Sequence, residues 1–408
     1  MSRNPSKQSR TQSRAQSRAA AITADVRERW RMGPEARGLM LVSAVLIAFG
    51  LAVLYSASAF VAMNERGNSA YFLTKQLTGV AAGMVAFAVA AKFDAEKLRE
   101  WAWPIMWFTI VTMAAVLFLP ERIAPTIHGS RRFLFGASFQ PSEFGKLAVV
   151  VWVAMLVVKK GDSLRRLTKG LVPFLVIIGL LDVLAALEPD LSVAMLYTLL
   201  MALLLFVGGA RMSHFVALAA MCLPMALTKI EKWRYAVARI TAFLHPGNAP
   251  ATVSFQLQQS LIAVGSGELT GRGFGKGMQQ ASFVPFPYSD FVASVVGEEW
   301  GFIGIAGITI AFALYALLGF RIARQARSPF LQLVAVGLTF TTVLTAFLHI
   351  GVVIGLLPTT GLTLPFVSFG RSNLVLTMLF TGILVNIGSN KERVIGSGAT
   401  DPLALATA

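Results

Sequence analysis

Long apolar stretches separated by short polar ones run through most of this chain. Apolar runs fall at 38–61, 73–91, 101–119, 141–158, 171–187, 190–208, 212–229, 300–320, 329–354 and 364–388. Each is near the length that a spanning helix needs, about 20 residues. A transmembrane barrel would instead show segments of about ten residues with strict alternation, and a lipid-exposed backbone leaves no other solution than helices. The pattern predicts an all-α polytopic integral membrane protein of about ten transmembrane helices. The longest polar interval, roughly 230–290, lies between the seventh and eighth runs and reads as a large external loop. Residues 1–36 and 389–408 read as tails flanking a membrane core at 37–388.

Composition agrees with this division. Of 408 residues, 55% are hydrophobic and 14% charged, and the mean hydropathy is +0.66, which excludes a disordered chain and an ordinary soluble globule. The net charge of +16 is uneven, because Arg3, Lys7, Arg10, Arg14, Arg18, Arg27, Arg29, Arg31 and Arg37 crowd the start. This basic tail lacks interleaved aromatic residues, so topology-setting charge is the reading adopted and no nucleic-acid partner is expected. The Ser/Gln/Arg bias of residues 2–18 predicts disorder. The first apolar run is too long and starts too late for a cleaved leader, and reads as an uncleaved anchor. With a cytoplasmic start, Lys92, Lys97, Arg99, Lys159, Lys160, Arg165, Arg166, Lys169, Arg211, Arg321, Arg324, Arg327, Lys391 and Arg393 all fall inside, so both termini are predicted to be cytoplasmic. The single cysteine, Cys222, allows no intrachain disulfide, and the four histidines show no zinc-ligand spacing.

Candidate chemistry gathers on the external side. Asp290 closes the long loop, and Glu298 and Glu299 follow just before the eighth run; carboxylates at a bilayer edge need water, a cation or a partner. The short loop ahead of the fourth run carries Arg131 and Arg132, whose guanidinium forks suit either phosphate oxygens or neighbouring carboxylates. Glu143 and Lys146, three residues apart on one helical face, read as an internal ion pair or as a substrate contact. Glu188-Pro189-Asp190 reads as a helix start capped by Asp190 or as a second acidic site. In the long loop, Arg234, Arg239, Arg272 and Lys276 are further cations, the last two within the glycine-rich stretch 265–277. Such glycines either allow close backbone approach to an anion or simply loosen a loop; no Walker A pattern is present.

Taken together, these strings resemble the SEDS family (shape, elongation, division and sporulation), polytopic glycosyltransferases that polymerise lipid II into peptidoglycan. The resemblance covers about residues 37–388 and rests on Tyr55-Ser56-Ala57-Ser58, the 129–146 segment, Glu188-Pro189-Asp190-Leu191, Arg234 through Arg239 to Phe243 and Pro246, Gln256 with Gln259-Ser260, Gly265-Ser266-Gly267, Asp290-Phe291 with Glu298-Glu299, and Gly355 to Phe366. The Gly361-to-Pro365 string and the basic tail are most similar to the cell-division branch, with the elongation branch second. Departures are Glu188 where the family usually has glutamine, Gly370-Arg371-Ser372 after the tenth-run Ser368, and the segment 285–290.

The resemblance implies inverting transfer, in which a base removes a glycan hydroxyl proton while a diphosphate leaves with its charge stabilised. Asp290 is the candidate base, its apolar setting expected to raise its pKa. Arg131, Arg132, Lys146, Arg234, Arg239, Arg272, Lys276 and Ser368 are candidate substrate contacts. Glu143, Asp190, Gln259, Glu298 and Glu299 are supporting candidates, and a divalent cation (Mg or Mn) is a further candidate for the diphosphate. An eight-residue helical step from Asp290 to Glu298 would span about 12 Å, more than the roughly 6.5–9.5 Å of an inverting glycosidase pair. The implied partners are lipid II, a single-span class B penicillin-binding protein and other division-machinery membrane proteins; the implied location is the inner membrane at the septum. A lipid II transporter and a structural scaffold remain competing classes, since ten spans with Pro358 and Pro365 in late ones also suit a transporter.

Overall fold

The computed structural model describes residues 26–126, 130–136, 138–211, 213–216, 234–245, 251–279 and 284–395. The described residues fall into two compact units, one holding 26–33 and 389–395, the other within Pro34–Gly388. In the first, β1 (Val26–Met32) pairs antiparallel with β2 (Ser389–Ile395), Trp30 lying opposite Lys391. Thus stretches read as tails contain a short sheet, while residues 2–18, where disorder was expected, lie outside the described residues.

The second unit is helical. Its helices are α1 (Pro34–Arg66), α2 (Tyr71–Lys92), α3 (Leu98–Phe118), α4 (Pro141–Lys160), α5 (Val172–Leu187), α6 (Leu191–Val207), α7 (Arg234–Leu244), α8 (Ala251–Ser266), α9 (Val292–Arg324), α10 (Pro329–Val353) and α11 (Arg371–Ile387). Among the described residues seven helical segments are long and apolar enough to cross a membrane, and α6 and α11 are shorter apolar helices. The protein is therefore an all-α polytopic membrane protein. The predicted seventh run, 212–229, lies almost wholly outside the described residues.

Burial sorts the helices. In α4 and α10, 83% and 72% of the most apolar window is buried, against 22–33% in the other long helices, so these two form the centre. Helices apolar on every side are expected to be enclosed. Peripheral helices present Met84, Val85, Val89, Trp107 and Val111 outward, an apolar surface suited to lipid. Neighbouring pairs are α2 with α11, α9 with α1 and α10, α3 with α4, and α5 with α6.

Three boundaries depart from the sequence pattern. Residues 364–370 continue the tenth apolar run but form a turn, with Leu364, Phe366 and Val367 buried; the helix begins only at Arg371. Hydropathy registers burial in protein and in lipid alike, and here the Ser368 hydroxyl takes the Leu364 N–H (2.8 Å) next to Pro365, which has none to give. The predicted external loop is partly helical, containing α7 and α8, with α8 packed on α9 and α10. Finally, α9 starts at Val292, well before the predicted 300, and is broken at Gly301 (φ 64°, ψ −158°).

Candidate active site

The break in α9 explains the glycine-rich loop. Gly301 adopts a backbone conformation reserved for glycine, which deprives the flanking turns of their helical bonds. The loop after α8 supplies replacements: Phe302 N and Ile303 N donate to Glu268 O (2.9 Å) and Leu269 O (3.2 Å). In return Glu298 O and Glu299 O accept from Arg272 N and Gly273 N, both at 3.0 Å. Backbones approach so closely that a Cβ on Gly267 would lie 1.8 Å from Gly297 O, and one on Gly271 2.1 Å from Glu299 O. These glycines make a seam between loop and helix, and the amides of Arg272 and Gly273 are engaged there instead of facing an anion.

Glu298 and Glu299 belong to the same joint. The buried Glu298 carboxylate accepts from Met278 N (2.7 Å) and Gln279 N (3.0 Å), tethering the loop's far end. Glu299, also buried, accepts from Ser56 Oγ of α1. Both carboxylates are thus engaged by donors of this chain, and neither lines the cleft that holds Asp290.

Asp290 sits two residues before α9 on a segment held from several sides. Ser368 Oγ donates to Ser289 O (2.7 Å), Phe369 N donates to Tyr288 O (2.8 Å), and the Gln76 side chain bonds Ser368 O (3.1 Å) and Gly370 N (3.2 Å). Phe72 stacks on Tyr288 at 4.4 Å, with Phe369 edge-on to both rings. His349, buried in α10, places Nδ1 2.7 Å from Leu362 O and Nε2 3.5 Å from Ala293 N, which sets the ring proton on Nδ1 and pins the start of α9. Ser368, expected to touch substrate, is buried and uses its hydroxyl on backbone, so it holds the Asp290 segment.

Asp290 opens, partly exposed, into a cleft shared with Arg239, Gln256, His349 and Thr360. Burial pushes its carboxyl above the usual carboxylate range; Arg132, the Ser289 hydroxyl and Arg239 pull the other way, and Asp190 adds to the rise. Arg239 also donates to Thr360 O (3.0 Å), which receives the Ser192 hydroxyl as well (2.5 Å).

Beside the cleft lies a second group of charges. Arg132 lies 3.5 Å from Asp190, which caps α6 through Val193 N (3.3 Å). Burial raises the Asp190 pKa against the pull of Arg132 and, more weakly, Lys146. Lys146 itself is buried in α4, 2.8 Å from both Glu143 oxygens. Such a pair is held together by the cost of burying either charge alone, several kcal/mol. Glu188 is fully buried at the α5–α6 turn; burial and then Asp190 lift its pKa to about 9, with Arg132 opposing. It is therefore neutral at pH 7, and a protonated carboxyl nearly matches glutamine in shape and charge.

Of the sequence candidates, Asp290 and Arg239 share the cleft, with Arg132, Asp190, Lys146 and Glu143 electrostatically coupled to it or to one another. Arg131 turns away to Leu119 O. Arg272 and Lys276 are exposed, and neither they nor Gln259 line the cleft. Arg234 opens α7, and its side chain lies outside the described residues. His349, Gln256 and Thr360 were not among the site candidates. Gln256 stands with Gln259 among the strings of the resemblance, whereas His349 reads only as one of four histidines without zinc-ligand spacing and as a neighbour of a departure from the family pattern. Among the described residues no three His, Cys, Asp or Glu side chains form a metal-ligand group. A magnesium ion held mainly by diphosphate oxygens and one carboxylate would still suit Asp290.

Fold and site together define a polytopic membrane protein with a charged cleft at one end of its bundle. A family model described as "Cell cycle protein" (FtsW/RodA/SpoVE) matches residues 37–393, and the chain belongs to that family. A probable peptidoglycan glycosyltransferase FtsW of Trichlorobacter lovleyi is 33% identical over 366 residues, covering 89% of this chain and 96% of that protein. The stage V sporulation protein E of Bacillus subtilis is 34% identical, with 86% and 95% covered. Among solved structures, a peptidoglycan synthase complex, described as coordinating polymerization and crosslinking, contains a chain that superposes with a TM-score of 0.70 at 23% identity, covering 86% of this chain and 96% of that one. RodA of Thermus thermophilus superposes with a TM-score of 0.61 at 23% identity, with 86% and 95% covered.

Proposed function

We propose that this chain is a peptidoglycan glycosyltransferase that polymerises lipid II on the outer face of the cytoplasmic membrane, in the division branch of its family. The observation that carries the reading is a partly exposed Asp290 whose carboxyl burial pushes above the usual range, sharing a cleft with Arg239 and lying within the electrostatic reach of Arg132. In this mechanism Asp290 accepts the proton of the attacking glycan hydroxyl, and its raised pKa brings it nearer the working pH. The new C–O bond forms at the anomeric carbon as the bond to the lipid diphosphate breaks. The diphosphate leaves with the electron pair, its charge stabilised by Arg132 and Arg239. His349, Ser368 and Gln76 hold the base in place, and a divalent cation bound with the diphosphate would add charge neutralisation. A class B penicillin-binding protein as partner and the septum as location are carried over from the family resemblance. The fold shared with a chain of a peptidoglycan synthase complex is compatible with such a partner.

The test is glycan-strand formation from lipid II in proteoliposomes, with the transpeptidase of the partner blocked. Wild type is compared with Asp290→Asn after both are shown to fold and to bind the partner equally. Strands from wild type alone are expected. Equal product from both removes Asp290 from the base role, and substrate crossing the bilayer without polymer formation points to a transporter.

A further inference from the structure

A groove on the membrane-facing side of α3, α4 and α5 has no part in the chemistry above. It has a volume of about 680 Å3, with an apolar wall that includes Trp103, Trp152 and Ile177 and a rim of Lys159, Lys160 and Lys169. The positive-inside distribution puts those lysines at the cytoplasmic surface. Lys160 donates to the Lys169 carbonyl, and among the described residues no carboxylate pairs with Lys159 or Lys169. Trp152 is 1% exposed, and its indole N–H has no hydrogen-bond partner. The indole ring contributes to the groove's wall, while its N–H stays below the surface.

We propose that this groove binds an anionic diacyl phospholipid of the cytoplasmic leaflet. The phosphate lies at Lys159 and Lys169, and an acyl chain runs along Trp103 and Ile177. Basic pockets between helices at the cytoplasmic surface suit such headgroups, and lysine stems reach the interface while their ammonium groups stay wet. Trp152 precedes Lys159 by seven residues, so it lies deeper by about 10 Å along α4. Diacyl phospholipids supply the anionic charge of the cytoplasmic leaflet that this lysine rim would meet, so the occupant is one of them and a polyprenyl phosphate is the contrary outcome.

The experiment is native mass spectrometry of the delipidated full chain with phosphatidylglycerol, with phosphatidylethanolamine of the same acyl chains, and with a polyprenyl monophosphate. Phosphatidylglycerol is expected to bind preferentially. Lys159→Ala/Lys169→Ala should weaken it about 30-fold, the effect of two surface lysines on an anionic lipid. Lys97→Ala/Arg99→Ala, altering a different cytoplasmic turn, should leave binding unchanged. Equal binding of the two phospholipids, undiminished binding by the double lysine variant, or preference for the polyprenyl phosphate would each overturn the proposal.

Discussion

The Arg132 guanidinium lies 3.5 Å from the Asp190 carboxylate and also lowers the pKa of Asp290, so one side chain ties the helix cap of α6 to the candidate base. Burial raises the Asp290 pKa and Arg132 opposes that rise. A base must be deprotonated to act, so activity should increase with pH through this raised value. Arg132→Gln removes the opposing charge and should move the acid limb of the kcat/KM profile to higher pH, with a lower plateau. A lower plateau with an unmoved limb would leave Arg132 a diphosphate contact without influence on the base.

Glu188 has the opposite relation to stability from a salt-bridged acid. Its folded pKa is about 9 against an ordinary 4.5, so between those values the folded state holds a proton that the unfolded state has lost. Stability therefore falls as pH rises through that window. Glu188→Gln keeps the neutral shape, and its melting temperature in detergent should exceed wild type increasingly from pH 6 to pH 9. A constant difference across that range would contradict the assignment.

The glycine seam is tested by contrast. Gly271 has φ +81° and a Cβ there would meet Glu299 O, whereas a Cβ on Gly265 meets nothing within 4 Å. Gly271→Ala should destabilise by about 2–4 kcal/mol, combining left-handed backbone strain with a backbone clash. Gly265→Ala should be near neutral. Denaturation of the two variants in one detergent distinguishes them.

Lys146→Met leaves Glu143 buried without its cation and should cost about 3–5 kcal/mol. Glu143→Met/Lys146→Met removes both charges and should recover most of that stability. If the pair also tunes the charge field around Asp190, polymerisation by the double variant should stay depressed after folding is restored. Recovery of both would make the pair purely architectural.

Much of this was legible in the sequence because helices in lipid announce themselves by length and apolarity. Asp290 stood out because a carboxylate at the end of a polar loop has few bland explanations. The turn at 364–370 was hidden because Leu364 and Phe366 are apolar for reasons of protein burial, which hydropathy cannot separate from lipid contact. His349 was hidden because its partners, Leu362 and Ala293, come together only through packing. Arg272 and Lys276 illustrate the converse: basic residues among glycines suggested an anion cradle, but the glycines serve a backbone seam and the cations face outward. Glu188 looked like a departure in charge, and its burial restores the neutrality of the glutamine it replaces.

The joint between the α8–α9 loop and the broken helix is made of main-chain amides and carbonyls, which every residue but proline possesses. Its sequence tolerance is accordingly lopsided. A library varying exposed loop positions such as Phe274 and Met278 should return many folded members, while Gly267, Gly271 and Gly301 return as glycine. Diversity at this outer surface is limited by bulk at three positions far more than by chemistry at the rest.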